Sequence, residues 1–300
     1  MSNIKVKGIL PALISPLNQD GTVRHDALRK LVNWQLSHGV DGFYVCGSTG
    51  EGIVMTAKAR MELLETVIDE VKGKATVVAH IGAANFNETL ELARHAEKSG
   101  ADVLSSVPPI YFKYNEKEIY SYYEAISDAA DLPLLMYGIA LSGNNLTVEM
   151  IRKLMNIKNV IGLKWTYPDY YGLQQIKTIN NGDINVVNGP DEMLCCGLMM
   201  GADAGIGSTY NIMPGLYVKL FKAMQDSDIP YARKLQYAIN SVIKVLISTN
   251  ATESVKIKLC DMGFDVGDCL PPRAGMTAAE KAEFLKAVDL VDFEKQDIKF

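Results

Sequence analysis

The stretch Thr76–Val107, TVVAHIGAANFNETLELARHAEKSGADVLSSV, decides the fold because it contains one complete repeating unit. It begins with the apolar run Thr76–Ile81 and ends with a second apolar run, Val103–Val107. Between them, Glu88–Lys98 has apolar residues at the i, i+3, i+4 and i+7 spacing of an amphipathic helix. Neither run alternates regularly between apolar and polar residues, so we predict parallel strands that are covered by helices.

The same unit recurs along the chain, which favours a closed barrel. Amphipathic helical stretches also cover His25–Ser37, Arg60–Val71 and Val148–Met155. Strand and helix units that finish near Asp226 fit the roughly 200 to 250 residues of an α/β fold of the (β/α)8 TIM barrel type. A doubly wound sheet is the alternative, but it carries a glycine-rich phosphate loop after its first strand. The eight predicted strands are Gly8–Ile14, Gly42–Val45, Thr76–Ile81, Val103–Val107, Leu132–Tyr137, Val160–Leu163, Ile184–Val187 and Ala204–Ile206.

The chain beyond the eighth unit is predicted to be helical. Its last helical stretch begins with Thr277 and Glu280 at the spacing of a capping box. Because no linker or low-complexity segment precedes these helices, we predict a barrel over residues 1–226 that carries the active site, with C-terminal helices over residues 227–300 packed on it. The helical stretches are Tyr231–Ser248, Glu253–Asp261 and Thr277–Leu290.

Composition and charge limit the classes of function. The 300 residues are 48% hydrophobic and carry 30 Lys and Arg against 35 Asp and Glu, a formal charge of −5. This balance offers no basic surface for nucleic acid or anionic lipid, and no stretch approaches the roughly 18 apolar residues of a membrane-spanning helix. We therefore predict no nucleic-acid partner and no membrane partner, and a small molecule as the substrate.

The N-terminus and the cysteines indicate the compartment. Residues 1–14 include Pro11 and lack the small-residue cleavage site of a signal peptide. The five cysteines have no C-x-x-C spacing, and each has apolar neighbours in the sequence, which is typical of buried free thiols. These features predict a cytoplasmic protein. The cysteines are Cys46, Cys195, Cys196, Cys260 and Cys269.

Lys164 is the most informative polar residue at a strand end, which is where the catalytic groups of such barrels lie. It directly follows the apolar run Val160–Leu163, so its amine is predicted to face the barrel interior. Burial favours the neutral, nucleophilic amine, which can condense with a ketone to form a Schiff base. A lysine whose amine extends from the strand end into solvent also fits this position.

Hydroxyl groups at other strand ends can complete such a site. Tyr137 ends the fifth predicted strand, where its hydroxyl can face Lys164 and transfer protons, although a packing tyrosine also fits. Ser48 and Thr49 lie between two glycines after the second strand. Such a loop can bind a carboxylate through its amides and hydroxyls, or it can simply form a turn that caps the next helix.

Paired carboxylates follow the seventh predicted strand. Asp191 and Glu192, just after Gly189, suit hydrogen bonding to a polyhydroxylated ligand, or they supply negative charge to the first turn of a helix. The four histidines lack the spacing of metal ligands, so we predict no catalytic metal. His80 is the histidine that ends a strand, and we interpret it as a satisfied core residue.

Four motifs occur in one order and spacing along the chain, namely Gly47–Glu51, Tyr137, Gly162–Lys164 and Gly207–Asn211. Together they resemble the N-acetylneuraminate lyase and dihydrodipicolinate synthase superfamily over nearly the whole chain. The resemblance implies a metal-free (β/α)8 barrel with C-terminal helices and no cofactor. It also implies a homotetramer that works through a lysine Schiff base with pyruvate.

The resemblance further implies roles for individual residues. Lys164 is the expected Schiff-base lysine and Tyr137 the proton-transfer tyrosine. Ser48 and Thr49 are expected to hold the pyruvyl carboxylate. Tyr111 is expected to reach into a neighbouring subunit's site and to complete a hydroxyl relay through Ser48 to Tyr137.

The lyase branch of the superfamily is the better match. The synthases place an arginine shortly after the fifth-strand tyrosine, whereas here the nearest, Arg152, lies within a predicted helix. The resemblance therefore implies that a lyase reversibly cleaves a 2-oxo sugar acid, with N-acetylneuraminate giving N-acetylmannosamine and pyruvate. The residues expected to contact the sugar are Thr166, Gly189, Asp191, Glu192 and Ser208.

Three departures from the family pattern occur, of which the first bears on the backbone beside Tyr137 and the last two bear on the substrate. Family members usually read Tyr-Asn-Ile-Pro where this chain has Tyr137–Ala140 and is one residue shorter before Leu141. Pro190 replaces an aromatic residue that sialic acid lyases often carry, and Trp165 replaces a smaller polar residue. The alternatives are another pyruvate-dependent aldolase or synthase, a keto-acid sensor without turnover, and a metal-dependent aldolase.

Overall fold

Eight strands form one parallel sheet in the order β1-β8-β7-β6-β5-β4-β3-β2. The computed structural model describes residues 5–291, so residues 1–4 of the N-terminal stretch and residues 292–300 of the predicted C-terminal region lie outside it. The strands are Gly8–Pro11 (β1), Gly42–Val45 (β2), Thr76–His80 (β3), Val103–Ser106 (β4), Leu134–Ile139 (β5), Val160–Thr166 (β6), Asn185–Asn188 (β7) and Ala204–Gly207 (β8).

The sheet closes on itself between β1 and β2. The Asp41 amide donates a hydrogen bond to the Ile9 carbonyl (2.9 Å), and the Leu13 amide donates one to the Tyr44 carbonyl (2.9 Å). A single parallel bridge joins Ala12 to Tyr44. The predicted (β/α)8 barrel is therefore confirmed, and its first two strands are joined by a single bridge instead of a continuous ladder.

Eight helices cover the barrel, and local capping residues explain where several of them begin. Thr56 accepts a hydrogen bond from the Ala59 amide (3.2 Å), so the second helix begins at Ala57 rather than at Arg60 as predicted. Asn115 forms a capping box at the start of the fourth helix. The helices are His25–Ser37 (α1), Ala57–Val71 (α2), Phe86–Ser99 (α3), Glu116–Ala129 (α4), Val148–Leu154 (α5), Tyr170–Lys177 (α6), Leu194–Met199 (α7) and Pro214–Gln225 (α8).

Apolar side chains form two layers, one inside the barrel and one between the strands and the helices. Successive residues of a strand point to opposite faces, so each strand contributes to both layers. On β5, Leu135 lies in the inner layer and Met136 in the outer one. On β6, Leu163 and Trp165 pack in the outer layer, which directs Lys164 into the barrel.

Three further helices follow the barrel and pack on it. The helices Ile229–Leu246 (α9), Ala251–Asp261 (α10) and Ala278–Val291 (α11) are close to the predicted stretches, and α9 packs against α8. The predicted capping box is present, since Glu280 Oε2 accepts from the Thr277 amide (2.7 Å). Within residues 5–291, none of the helices has both the length and the apolar character that a membrane crossing needs.

All five cysteines are free thiols, but the prediction that they are buried was wrong for two of them. Cys46 and Cys269 are buried and Cys195 is half-buried, whereas Cys196 and Cys260 are exposed. The exposed pair lies on helices α7 and α10. On a surface helix, residues adjacent in sequence face different directions, so apolar neighbours along the chain do not ensure burial.

Candidate active site

Lys164 and Tyr137 meet inside the barrel. The two residues are direct partners in the register of β5 and β6, and Lys164 Nζ lies 4.3 Å from the centre of the Tyr137 ring. β6 continues to Thr166, so Lys164 lies within the strand rather than at its end, and it is only 5% exposed. The structure thus excludes the alternative in which the amine extends into solvent.

Tyr44 on β2 forms a second aromatic wall beside the amine. Its ring centre is 4.8 Å from Lys164 Nζ, and its ring meets that of Tyr137 edge to face at 5.9 Å. The Tyr44 hydroxyl is held by Ser105 Oγ at 3.0 Å. Tyr44 could not be identified from the sequence, because an aromatic residue in the apolar run of β2 has the pattern of a packing residue.

No carboxylate pairs with the Lys164 amine among the described residues. An ammonium group that is buried without a counter-ion is costly, so a lysine is an unusual residue at this position. The aromatic faces of Tyr44 and Tyr137 would in turn stabilise a cation formed at this nitrogen. The pocket therefore places the amine against two aromatic faces and away from the carboxylates of the described residues.

His80 on β3 lies in the same layer of the barrel. Its ring centre is 6.1 Å from that of Tyr137. Nδ1 is bonded to the Cys46 carbonyl (3.1 Å), but Nε2 is buried and lacks a partner within the part of the chain described. The interpretation of His80 as a satisfied core residue was therefore only half right. Burial and the charge of Arg60 lower the pKa of His80 to about 3, so it remains neutral.

The loop after β2 carries Ser48 and Thr49 beside this pocket. Ser48 is exposed and Thr49 is half-buried. The Ser48 carbonyl accepts a hydrogen bond from the Glu51 amide (3.1 Å), which turns the loop back on itself. Gly47 lies directly against Tyr44, because a Cβ at this position would lie 2.5 Å from the ring. The loop is thus in contact with one wall of the pocket that contains Lys164.

Asp191 joins the segments that follow β7 and β8. Its Oδ2 accepts hydrogen bonds from the Thr209 amide and hydroxyl (both 2.7 Å) and from the Ser208 hydroxyl (3.4 Å). Burial raises the pKa of Asp191 to about 6, although the bonds from Thr209 and the charge of Lys164 act in the opposite direction. Glu192 is exposed on the same turn. The structure therefore brings Asp191 and Ser208 together.

Thr166 and Gly189 also lie together. The Gly189 amide donates to the Trp165 carbonyl (2.9 Å), and a Cβ at Gly189 would lie 1.9 Å from Thr166 Oγ1. Only glycine fits at this position. Thr166 Oγ1 is buried and has no partner among residues 5–291, so this hydroxyl is available to a ligand.

Helix α9 supports the turn that carries Asp191 and Glu192. Gln236 Nε2 donates to the Asp191 carbonyl (3.1 Å), and Gln236 Oε1 accepts from the Cys195 amide (3.0 Å). Asn240 Nδ2 donates to the Glu192 carbonyl (3.0 Å). Neither side-chain amide was predicted from the sequence. Their only signal is a polar pair at i, i+4 within a helix that otherwise buries apolar residues.

Tyr111 is separate from these residues in a single chain. It follows β4, is 89% exposed, and contacts the ring of Phe112. No hydrogen bond joins it to Ser48 or Tyr137 within the described chain. The relay expected for Tyr111 therefore does not form inside one subunit.

No metal centre is evident in residues 5–291, since no three His, Cys, Asp or Glu side chains there are grouped to hold an ion.

Asp191 is expected to make stability depend on pH. Its pKa is raised to about 6 from an ordinary 3.8, so folding favours the protonated form. The stabilisation is complete below pH 3.8 and is lost as the pH rises through about 6. Relative to Asp191→Asn, wild type should lose on the order of 3 kcal/mol of unfolding free energy across this interval. Urea unfolding at several pH values checks this, and parallel curves for the two proteins would contradict it.

Trp165 points away from the pocket, which corrects the expectation that it bears on the substrate. It is the register partner of Gly138, and both lie on the outer side of the sheet. A Cβ at Gly138 would approach the Tyr167 ring to 3.1 Å and the Trp165 ring to 3.4 Å. A side chain at position 138 and the large indole at position 165 would therefore compete for the same space.

This complementarity predicts a coupled effect of two substitutions. Gly138→Asn alone should overpack the outer layer and lower the unfolding free energy by about 1–3 kcal/mol. Combining it with Trp165→Ser should reduce that loss, because the smaller side chain vacates the space beside residue 138. Thermal or urea unfolding of the wild type, both single variants and the double variant measures the coupling. Strictly additive losses would refute it.

Comparison with known proteins places this site in a family. The sequence profile of the dihydrodipicolinate synthetase family matches residues 5–290. An N-acetylneuraminate lyase of Citrobacter koseri is 40% identical over 256 residues, which cover 85% of this chain and 86% of that protein. An N-acetylneuraminate lyase of Escherichia coli is 41% identical over the same shares of the two chains.

A solved structure agrees with these sequence relatives. The wild-type sialic acid aldolase of Ruminococcus gnavus is 32% identical, with a TM-score of 0.92 over 98% of this chain and 99% of that chain. A second structure of that aldolase is of its catalytic lysine mutant. The profile match over residues 5–290, on a barrel that brings Lys164 and Tyr137 into register, shows that the chain belongs to the dihydrodipicolinate synthetase family.

Proposed function

We propose that this chain is a class I aldolase that cleaves N-acetylneuraminate to N-acetylmannosamine and pyruvate through a Schiff base on Lys164. The observation that carries the proposal is the buried Lys164 amine, which has no ion-pair partner among residues 5–291 and lies 4.3 Å from the centre of the Tyr137 ring. Relatives about 40% identical over most of the chain are N-acetylneuraminate lyases, which supports the choice of substrate.

The first step joins the enzyme to the substrate. The Lys164 amine, in its neutral form, attacks the C2 ketone, a nitrogen–carbon bond forms, and the ketone oxygen leaves as water with one proton from the amine and one from solvent. The resulting iminium is positively charged and lies beside the faces of the Tyr44 and Tyr137 rings. Ser48 and Thr49 are proposed to bind the substrate carboxylate, which fixes the orientation of C2 toward the amine.

The second step breaks the carbon–carbon bond. The Tyr137 hydroxyl takes the proton of the C4 hydroxyl and passes its own proton to the substrate carboxylate, while the C3–C4 bond breaks and its electron pair moves into the iminium to give an enamine. The aldehyde product then leaves. The same proton returns through Tyr137 to C3 of the enamine, and addition of water at C2 releases pyruvate, a proton to solvent and the free amine.

The sugar half of the substrate is proposed to contact the opposite side of the barrel mouth. Thr166 Oγ1 is buried without a partner, and Ser208 is already within 3.4 Å of Asp191. These groups can exchange hydrogen bonds with the hydroxyls of a sugar. The full proposed set is Thr166, the Gly189 backbone, Asp191, Glu192 and Ser208.

A synthase-like reaction is disfavoured by the position of Arg152. This residue is exposed on α5, and its Nε lies 4.0 Å from a Glu149 carboxylate oxygen. It does not supply the cation that follows the fifth-strand tyrosine in the synthases. A sugar-derived aldehyde therefore fits the second half of the reaction better than a substrate with its own carboxylate.

Assembly, compartment and domain division form part of the same proposal. The exposure of Tyr111 supports a homotetramer in which this residue enters a neighbouring subunit's site. Five free thiols are typical of the reducing cytoplasm. Residues 1–226 are proposed as the catalytic barrel and residues 227–300 as helices packed on it.

Borohydride trapping tests the chemistry, and a substrate panel tests the identity of the substrate. We expect reduction in the presence of pyruvate to leave a stable adduct that peptide mass mapping locates at Lys164. We expect N-acetylneuraminate to release pyruvate, and other sugar acids to react more slowly. An adduct without any cleavage product would favour a keto-acid sensor. Synthesis from aspartate semialdehyde would favour a synthase, and loss of activity in a chelator would favour a metal-dependent aldolase.

A further inference from the structure

Glu51 ends the motif Gly47–Glu51 and takes no part in the proposed reaction, yet its charge is buried. Its side chain is 3% exposed and that of Lys256, on α10, is 2% exposed. Glu51 Oε1 lies 2.5 Å from Lys256 Nζ, and Oε2 accepts a hydrogen bond from the Leu270 amide (2.8 Å). Lys256 Nζ also donates to the Asp268 carbonyl (3.0 Å). Both charges are therefore compensated at the junction of the barrel and the C-terminal helices.

Stability alone does not account for this ion pair. Two charges lose their hydration when they are buried, and apolar residues of similar size often stabilise such a position as well or better. An ion pair with additional hydrogen bonds fixes the positions of both partners, so this pair holds Glu51 and the loop that it ends in place.

The backbone of Glu51 controls the tip of the loop. Its φ is +57°, in the left-handed region that side chains other than glycine rarely adopt. Its amide donates a hydrogen bond to the Ser48 carbonyl (3.1 Å). The position of Glu51 is therefore coupled to that of Ser48 and Thr49. On the other side, Ser15 Oγ donates to the Gly50 carbonyl (2.6 Å). The loop is thus held between the β1 end of the barrel and the C-terminal helices.

We propose that Glu51 and Lys256 are positioning residues, whose ion pair holds the Ser48 and Thr49 hydroxyls and amides where they receive the carboxylate of pyruvate. The inference rests on the proposed function, because that function assigns the carboxylate to this loop. Through Lys256, helix α10 contributes to the active site without contacting the substrate.

Two ketones of similar size test this role. Pyruvate carries the carboxylate and hydroxyacetone lacks it, while both can form an imine with Lys164 that borohydride traps. In Glu51→Gln, the pyruvate concentration for half-maximal trapping should rise about tenfold to a hundredfold, because a displaced loop no longer orients the carboxylate. Trapping of hydroxyacetone should be unchanged. A role confined to stability would not separate the two ketones.

Two further variants keep the test decisive. Glu51→Gln combined with Lys256→Met removes both charges and leaves neither buried alone, so it should fold even if a single variant does not. We expect it to show the same selective loss of pyruvate trapping. As a control, Asp131→Asn breaks the exposed ion pair with Lys158 (2.9 Å), and neither ketone should be affected. Circular dichroism and thermal unfolding report the fold of each variant.

The outcomes separate this inference from the proposed function. Equal losses for both ketones in a folded variant would overturn the positioning role. Trapping of pyruvate by the folded double variant at the wild-type concentration would also overturn it. If the wild-type protein traps no pyruvate, the proposed function fails and the inference fails with it. If wild type traps pyruvate but does not cleave N-acetylneuraminate, only the substrate assignment is lost.

Discussion

Lys164→Ala is expected to abolish turnover of N-acetylneuraminate, with a loss of at least about 10⁴-fold, because the covalent step has no substitute nucleophile. The amine is buried between the Tyr44 and Tyr137 rings, and no other lysine is in contact with either ring among the described residues. The fold should persist, since the substitution breaks no ion pair within the part of the chain that the structure describes. Pyruvate release is the measurement, with borohydride trapping as a second readout that should fall to background.

Lys158→Ala is the matched control for this substitution. Lys158 lies just before the same strand at the opposite end of the barrel, where it is exposed and pairs with Asp131 at 2.9 Å. Its replacement should leave turnover and trapping at wild-type levels. A folded Lys164→Ala protein that still cleaves the substrate at a comparable rate would refute the assignment of Lys164.

Tyr137→Phe is expected to lower turnover by about 10²- to 10⁴-fold while leaving the formation of the pyruvate adduct largely intact. The substitution retains the ring that lies 4.3 Å from Lys164 Nζ, so the pocket around the amine is preserved. It removes only the hydroxyl that is proposed to accept the C4 proton. Cleavage rate and borohydride trapping, measured on the same preparation, separate proton transfer from imine formation.

Tyr123→Phe provides the corresponding control. Tyr123 is also fully buried, but it packs between strands and helices, where its hydroxyl donates to the Ser106 carbonyl (3.0 Å). Loss of the Tyr123 hydroxyl should lower the unfolding free energy and leave the turnover of N-acetylneuraminate nearly unchanged. Wild-type turnover in Tyr137→Phe, or an equal loss of adduct formation and cleavage, would contradict a role in proton transfer.

The barrel itself could be predicted from the sequence, because the patterns that indicate its strands and helices lie within short segments of the chain. Apolar runs such as Thr76–Ile81 and helical periodicity such as Glu88–Lys98 reflect which faces are buried within each unit. Helix caps act over a few residues and also can be predicted from the sequence. The same reasoning placed Lys164 inside the barrel, since it continues an apolar run without interruption. The extent of β6 to Thr166 could not be predicted, because pairing with β5 and β7 decides where the strand ends.

Individual site residues differed in how well the sequence identified them. Asp191 and Ser208 could be selected as polar residues near strand ends, and the structure brings them within 3.4 Å. Tyr44 and His80 could not be distinguished from packing residues, although both rings lie against Tyr137. Trp165 was linked to the substrate because it follows Lys164, but the alternation of a strand turns it to the opposite face.

The sequence by itself determined the strand and helix units, the inward position of Lys164 and the polar ends of the strands. The tertiary structure alone decided which distant groups surround them. Glu51 accepts a hydrogen bond from the Leu270 amide, which lies 219 residues away in the sequence. Gln236 donates a hydrogen bond to the Asp191 carbonyl, which lies 45 residues away. The physical reason is that hydrogen bonds and ion pairs depend on the position of atoms in space. Only closure of the barrel and packing of the C-terminal helices brings such groups within bonding distance.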